Sequence, residues 1–358
     1  MRIALLNLPL DSNYGGNLQR YALMKVLSRM GHDVIHLNLH FIPHVSSIYK
    51  YKWFLCQMKK KLCKDHTVTL SWEKFIEQND IFRCEVAKPF YDKYIPHTEP
   101  ITKIEALKKY SNYDAYIVGS DQVWRPNMAK SYGLKTYFFD YLPSNNIKKI
   151  AYAVSMGVSE KEMNEKQIVT FRNLYNGFKA VSVRELISLK ILDDYGWINP
   201  KAEIALDPTF LLDKSDYVQI INENETSSID GSLFCYILDP SSEKYAIIDV
   251  LAKEKSFKPF YQIGCSSSDS MSIPQWLRSI KDAEYIVTDS YHGLVFSLIF
   301  NKPVKVLMNK RRGNARFESL QELLHFDLYK DSFKWEAIND AIKKGQMESM
   351  TFLEKSLN

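Results

Sequence analysis

The stretch Ile3-Ala-Leu-Leu-Asn-Leu8, running on into Asp11-Ser-Asn-Tyr-Gly-Gly-Asn17, decides the fold. A short apolar run that ends in a cluster of turn and cap residues reads as a strand followed by a loop. Behind it Leu18, Tyr21, Ala22, Val26 and Met30 recur at helical spacing, and Gly31 sits where a helix C-cap glycine belongs. From Val34 to Leu39, Ile35, Leu37 and Leu39 alternate against His36 and Asn38, the pattern of a second strand. Strand, helix and strand in that order predict a parallel sheet.

The same grammar continues along the chain. Ala115–Val118, Ile150–Ser155 and Ala180–Val183 read as strands, and 160–176 and 185–194 as helices. Between them residues 41–112 mix aromatic and lysine residues without one clean period, and are expected to form a partly helical insertion. The polar stretch Asp213–Asp230 reads as a surface connector. A second series then begins, with strands at Ser232–Leu238, Glu284–Thr288 and Val304–Met308, a helix after Pro274 and another at 293–300. The 358 residues, divided by roughly 150 per domain, also suggest two domains. The expected fold is α/β, with two Rossmann-like domains whose parallel sheets face a central cleft, a GT-B-like architecture. The first domain is placed at 1–205 and the second, with a terminal helix, at 206–358.

Composition excludes several classes. The 46% hydrophobic and 25% charged fractions, with 13 Gly and 13 Pro, fit an ordinary soluble globular protein and not a low-complexity chain. Against 42 acidic residues stand 47 basic ones, and the net charge of +5 suits anionic ligands without demanding nucleic acid, which is not expected as a partner. Five cysteines, Cys56, Cys63, Cys84, Cys235 and Cys265, contain no Cys-x-x-Cys pair. Neither a disulfide framework nor a thiolate zinc site is indicated, and a reducing cytoplasm fits best. Met1–Leu10 carries one positive charge, but Asn7 and Pro9 break its apolar run and no small-residue cleavage site follows, so it reads as a strand. No stretch approaches the roughly 18 apolar residues of a membrane span, so any membrane contact, for instance at its inner face, would be peripheral. His32, His36, His40 and His44 recur every fourth residue, yet on a strand four residues span about 13 Å, too far to share one metal.

Nearly every unusual polar cluster follows directly on an expected strand: Asn13–Asn17, Gly119–Trp124, Arg184-Glu185, Asp207-Pro-Thr209 and Thr288–Gly293. In open parallel sheets ligands bind outside the carboxyl ends of the strands, so these clusters can converge on one crevice. Gly15-Gly16 ahead of a helix could receive a phosphate or carboxylate, or could simply make a tight turn. Asp121, beside Gln122, Trp124 and Arg125, could accept a proton from a substrate hydroxyl or cap the next turn. Arg184 could grip an anion in bidentate fashion, or pair with Glu185 or Asp207. His292, beside Gly293 between a strand and a helix, carries the side chain best suited to proton exchange near neutral pH.

Two basic segments stand out. Lys50–Lys64 carries six lysines among apolar residues and could lie on an anionic membrane surface, or be a solvated face whose lysine stems cover the edge of the core. Lys310-Arg-Arg-Gly-Asn-Ala-Arg316, just after a strand of the second half, is the better anion-site candidate of the two. Trp124 and Trp276 could stack on sugars, although large aromatics are more often core.

Taken together, Asn13–Leu23, Tyr113–Trp124, Ala151–Gly157, Ser182–Glu185, Leu206–Thr209 and His292-Gly293 ahead of Asn301-Lys-Pro303 resemble the polysaccharide pyruvyl transferase family over about residues 1–325. The resemblance implies transfer of a pyruvyl group from phosphoenolpyruvate to two hydroxyls of a sugar in a surface-polysaccharide precursor, giving a cyclic ketal and phosphate, with no metal or redox cofactor. It maps the family's donor-binding and catalytic residues to Asp121, Arg184 and His292. The expected roles are His292 as general acid, Asp121 as general base and Arg184 as anion clamp, with acid and base open to exchange. Around them Asn13, Gly15, Gly16, Asn17, Gln19, Ser120, Gln122, Trp124, Ser290, Tyr291, Gly293, Lys310, Arg312 and Arg316 are expected to bind substrate. Where the family often has a basic residue two before the histidine, this chain has Ser290, so Lys310, Arg311, Arg312 or Arg316 is expected to replace that contact. The acceptor implied is a galactose- or mannose-containing glycan, with lipid linkage left open. The alternatives are a nucleotide-sugar glycosyltransferase of the same architecture and a carbohydrate-binding protein without turnover.

Overall fold

The computed structural model describes residues 1–40, 47–62, 69–72, 74–75, 84–129, 133–143, 147–158, 160–264, 270–308, 314–330 and 333–358. Two all-parallel sheets organise it. The first contains β1 (Arg2–Leu6), β2 (Asp33–His36), β3 (Ala115–Gly119), β4 (Lys148–Val154), β5 (Ala180–Val183) and β6 (Glu203–Ile204), in the order β2-β1-β3-β4-β5-β6. The second contains β7 (Leu233–Ile237), β8 (Pro259–Ile263), β9 (Tyr285–Thr288) and β10 (Val304–Val306), in the order β10-β9-β7-β8. Helices are α1 (Tyr14–Arg29), α2 (Ser47–Leu62), α3 (Lys88–Tyr94), α4 (Pro126–Ala129), α5 (Glu165–Tyr175), α6 (Leu186–Asp194), α7 (Lys214–Glu223), α8 (Ser242–Lys255), α9 (Ile273–Asp282), α10 (Tyr291–Ile299), α11 (Ala315–Leu324) and α12 (Trp335–Leu357).

The strands read as near-continuous apolar runs because both faces of each sheet are covered. Along β1, Ile3 and Leu5 enter one core while Ala4 and Leu6 enter another; Ala115 and Ile117 against Tyr116 and Val118 do the same along β3. Phe234 and Tyr236 of β7 belong to the same core as Ile3 and Leu5, so one apolar mass runs from the first lobe into the second. Tyr14 pins the junction, with its ring 5.2 Å from that of Trp276 and its hydroxyl donating to the Met271 carbonyl at 2.7 Å. Trp276 is thus core and not a sugar platform.

Three sequence readings change. Asp213–Asp230 is no mere connector, because α7 occupies Lys214–Glu223 and buries Tyr217, Ile220 and Ile221, an apolar stripe at helical spacing inside a polar stretch. The strands β6 and β8 escaped the alternation test, one for having only two residues and the other for an irregular burial pattern. The terminal helix, assigned to the second half, packs there against α11 and also reaches the first lobe, where Lys148 Nζ donates to the Leu357 carbonyl at 2.6 Å. Of the four evenly spaced histidines, His36 is buried with both nitrogens in use, accepting from Arg20 Nε at 3.1 Å and facing the Tyr91 hydroxyl at 2.7 Å. His44 lies outside the described residues, as do Cys63 and Cys265.

Candidate active site

Each sheet has one point where its strand order reverses, between β1 and β3 in the first and between β7 and β9 in the second. Loops leaving neighbouring strands at such a point turn apart and open a crevice. The two crevices meet in one cavity of about 370 Å³. The first lobe supplies Asp11, Ser12 and Asn13 after β1, and Asp121 and Gln122 after β3; the second supplies Leu238 after β7 and Asp289, Ser290, Tyr291 and His292 after β9. Arg316, in the first turn of α11, also lines it.

Two helices begin at the cavity. Asn13 caps α1 by accepting the Gly16 N–H, and Ser290 caps α10 by accepting the Gly293 N–H, both at 3.3 Å. Their amino termini bring the positive ends of two helix dipoles to the same space. Gly15 lets the imidazole of His292 lie against the first turn of α1, because a Cβ there would sit 1.9 Å from His292 Nδ1. Gly15→Ala is therefore expected to displace the ring and lower turnover about 100-fold while leaving the fold intact. Phosphate release measured beside a thermal melt checks this, and wild-type turnover would refute the packing argument.

The three residues assigned to catalysis do come together, linked through a fourth. Asp207 is fully buried and accepts from Gln19 Nε2 at 2.6 Å, Arg184 Nη1 at 2.9 Å and the Thr209 hydroxyl at 2.7 Å, and it lies 3.6 Å from His292 Nε2. Burial alone would raise its carboxyl, but His292, Arg184 and Thr209 outweigh that and hold it well below the usual carboxylate range. Arg184 Nη2 in turn stands 3.5 Å from Asp121 Oδ1. Asp121 adopts a left-handed backbone, φ +53°, a conformation that Asp tolerates better than most residues and that is enriched at functional sites.

Arg184 itself departs from expectation. Its side chain is fully buried, with Nε donating to Glu185 at 2.9 Å and Nη1 to Asp207, so two of its three nitrogens are occupied by protein carboxylates. Its charge is retained despite burial, since Glu185, Asp207, Tyr291 and Asp121 together raise its pKa. The ion pairs expected with Glu185 and Asp207 are thus present, while the third nitrogen, Nη2, is buried without a hydrogen-bond partner 3.5 Å from Asp121. The cation that faces the cavity is Arg316, whose guanidinium lies over the Tyr291 ring at 5.6 Å, with Arg184 over the same ring at 4.9 Å. Arg316 Nε is buried without a hydrogen-bond partner, and among the described residues no carboxylate pairs with it. Burial, followed by the like charge of Arg184, lowers its pKa, as for a cation short of counter-charge.

Of the other residues expected to bind substrate, Asn13, Gln122, Ser290 and Tyr291 line the cavity. Trp124 does not: it is fully buried, stacked on Phe138 at 4.8 Å with its N–H on the Tyr137 carbonyl, because the helix and turn after β3 fold over an aromatic core. Asn17 points inward to cap the loop, donating to the Asp11 and Asn13 carbonyls, and Gln19 is spent on Asp207. Ser120 is buried and lies outside the lining, and Gly293 instead packs against Thr288. Gly16 serves the cap. Arg125, beside Asp121 in sequence, forms a bidentate pair with Glu162. Lys310, Arg311 and Arg312 lie outside the described residues. Asp289, given no role by the sequence, accepts the N–H groups of Leu238 and Asp239 at 2.6 and 3.0 Å and so ties the ends of β7 and β9 together.

Two parallel α/β lobes that join their switch points around one polar cavity define the GT-B-like class. Solved structures of similar fold include UDP-GlcNAc 2-epimerase from Neisseria meningitidis bound to UDP-GlcNAc, with a TM-score of 0.50 and 10% identity over 100% of this chain and 94% of that one. The UDP-GlcNAc 2-epimerase from Methanocaldococcus jannaschii in complex with UDP-GlcNAc and UDP gives 0.50 and 12% over 97% and 93%. At such identity the likeness speaks to fold alone. No curated protein sequence matches the chain. The profile of the polysaccharide pyruvyl transferase family, however, matches residues 13–311, and the chain belongs to that family. It is a transferase that moves a pyruvyl group from phosphoenolpyruvate to a sugar acceptor, forming a ketal and releasing phosphate.

Proposed function

We propose that His292 protonates the donor's methylene carbon, that Asp121 takes the proton of an attacking sugar hydroxyl, and that Arg316 holds the donor's anionic groups. The observation that carries this reading is the meeting of these three side chains at one cavity between the switch points of both lobes. Of the two protons lost from the sugar hydroxyls one is gained at the methylene carbon and the other leaves on phosphate, while the carbon–carbon π bond and one C–O bond to phosphate break and one C–H and two C–O bonds form. The reaction therefore needs one acid, at least one base and fixed positive charge where phosphate departs. Asp207 orients the His292 ring, and Arg184 bridges Asp207 to Asp121, so both act as positioning residues. Asn13 and Ser290 add the amino ends of α1 and α10 as further anion contacts.

The acceptor is a galactose- or mannose-containing glycan, whose neighbouring hydroxyls can close a cyclic ketal. The cytoplasm is the proposed site of action, in keeping with free thiols at Cys56, Cys84 and Cys235. Among the described residues no helix is long and apolar enough to cross a membrane. The test is phosphate release from phosphoenolpyruvate across a panel of such acceptors. Arg316→Met is expected to raise the KM for phosphoenolpyruvate about 10–100-fold, the worth of a charged hydrogen bond. Thermal protection by a nucleoside diphosphate sugar with none from phosphoenolpyruvate would overturn the donor assignment.

A further inference from the structure

We propose that α2 docks the protein on an anionic lipid surface. A helix in a folded lobe ordinarily buries an apolar stripe. This one, at 16 residues, has no fully buried side chain: Trp53 and Gln57 are half-buried and the rest are exposed. Its lysines are all exposed, and among the described residues only Lys50 lies over an aromatic ring, that of Trp72 at 5.9 Å.

Ile48, Tyr51, Leu55, Met58 and Leu62 follow at alternating spacings of three and four, which places them on one side of the helix. Ile48 is 69% exposed, Tyr51 63%, Leu55 49% and Leu62 80%. The contacts that hold α2 come from elsewhere on its circumference, where the Trp53 ring packs 5.1 Å from Trp72 and 4.8 Å from Phe75. At 100° per residue Lys52 and Lys59 border one edge of the apolar stripe and Lys61, beyond Phe54, flanks the other, while Lys50 lies over the Trp72 ring on the packed side. The helix contains no acidic residue.

Apolar side chains edged by lysines on both sides match the boundary between acyl chains and anionic headgroups. A second copy of the same stripe would set lysine against lysine with no carboxylate between, so charge selects the lipid surface over self-association. The segment that carries α2 leaves the first sheet from the carboxyl end of β2, the end at which the cavity opens. Within it Cys84 Sγ donates to the Leu10 carbonyl at 3.3 Å, next to Asp11 of the cavity wall. Docking through α2 would hold the site beside the membrane.

Co-sedimentation of the full chain with phosphatidylglycerol–phosphatidylcholine vesicles tests this. Binding is expected to the mixed vesicles and not to pure phosphatidylcholine, and to fall with added salt. Replacing Lys59, Lys60 and Lys61 together by Gln should weaken it about 100-fold. The double variant Leu55→Asp and Leu62→Asp should abolish it with unchanged circular dichroism and melting temperature. The proposal fails if the chain does not pellet with mixed vesicles, pellets equally with neutral ones, or binds undiminished after either set of substitutions. A dimer in sedimentation equilibrium that the Leu55 and Leu62 substitutions dissolve, without vesicle binding, would assign the stripe to a second copy instead.

Discussion

His292→Ala lowers phosphate release from phosphoenolpyruvate about 10²–10⁴-fold, the usual share of a positioned general acid. The loss should fall on kcat, because Arg316 and the two helix termini proposed to hold the donor are left in place. Fold should be retained: the ring packs against Gly15, and Asp207, which loses it, keeps hydrogen bonds from Gln19, Arg184 and Thr209. Asp121→Asn should act in the same direction, since an amide keeps the shape of the side chain and its place 3.5 Å from Arg184 but takes up no proton. Near-normal turnover in both variants would sink the assignment of the site, whatever the behaviour of the remaining lining residues.

The largest effect on stability is expected at Asp207. Its carboxylate is fully buried and is the common partner of Gln19, Arg184 and Thr209, so Asp207→Ala leaves the Arg184 guanidinium in the interior with Glu185 as its one remaining hydrogen-bonded carboxylate. Breaking a buried pair from one side costs about 3–5 kcal/mol. Urea titration should show the midpoint falling accordingly. The sign of the pH dependence is also fixed. A carboxyl held below its unfolded value contributes stability that is complete above the ordinary carboxylate range. As pH falls through that range towards the lowered value, the unfolded chain takes the proton first and the contribution is lost. Asp207→Asn lacks this group, so the stability gap between wild type and variant should narrow in acid. A gap that stays constant from neutral pH down through the carboxylate range would contradict the linkage.

The lobes and the crevice loops were legible because parallel strands buried on both faces leave apolar runs, and because the loops after them collect residues such as Asn13-Tyr-Gly-Gly and Ser290-Tyr-His-Gly that apolar periodicity cannot explain. Position after a strand was enough to gather Asp121 and His292, whose loops converge on one cavity. The same rule failed for Trp124, since a residue three places beyond Asp121 already belongs to the core that the turn folds over. For Arg184 it left two readings open, an anion to hold or a pair with Glu185 or Asp207. Whether a guanidinium at a strand end meets solvent or a buried carboxylate depends on Asp207, which follows the two-residue strand β6 and left no periodicity to read.

The residues alone thus specified two parallel lobes, the family they serve and the chemical types at the crevice, because backbone hydrogen bonding and apolar burial act through local patterns. Only the assembled molecule decided which cation lines the cavity, Arg316 and not Arg184, and which apolar stripe is left uncovered, that of α2. Charge pairing and exposure depend on neighbours distant in the chain, and no local pattern encodes who those neighbours are.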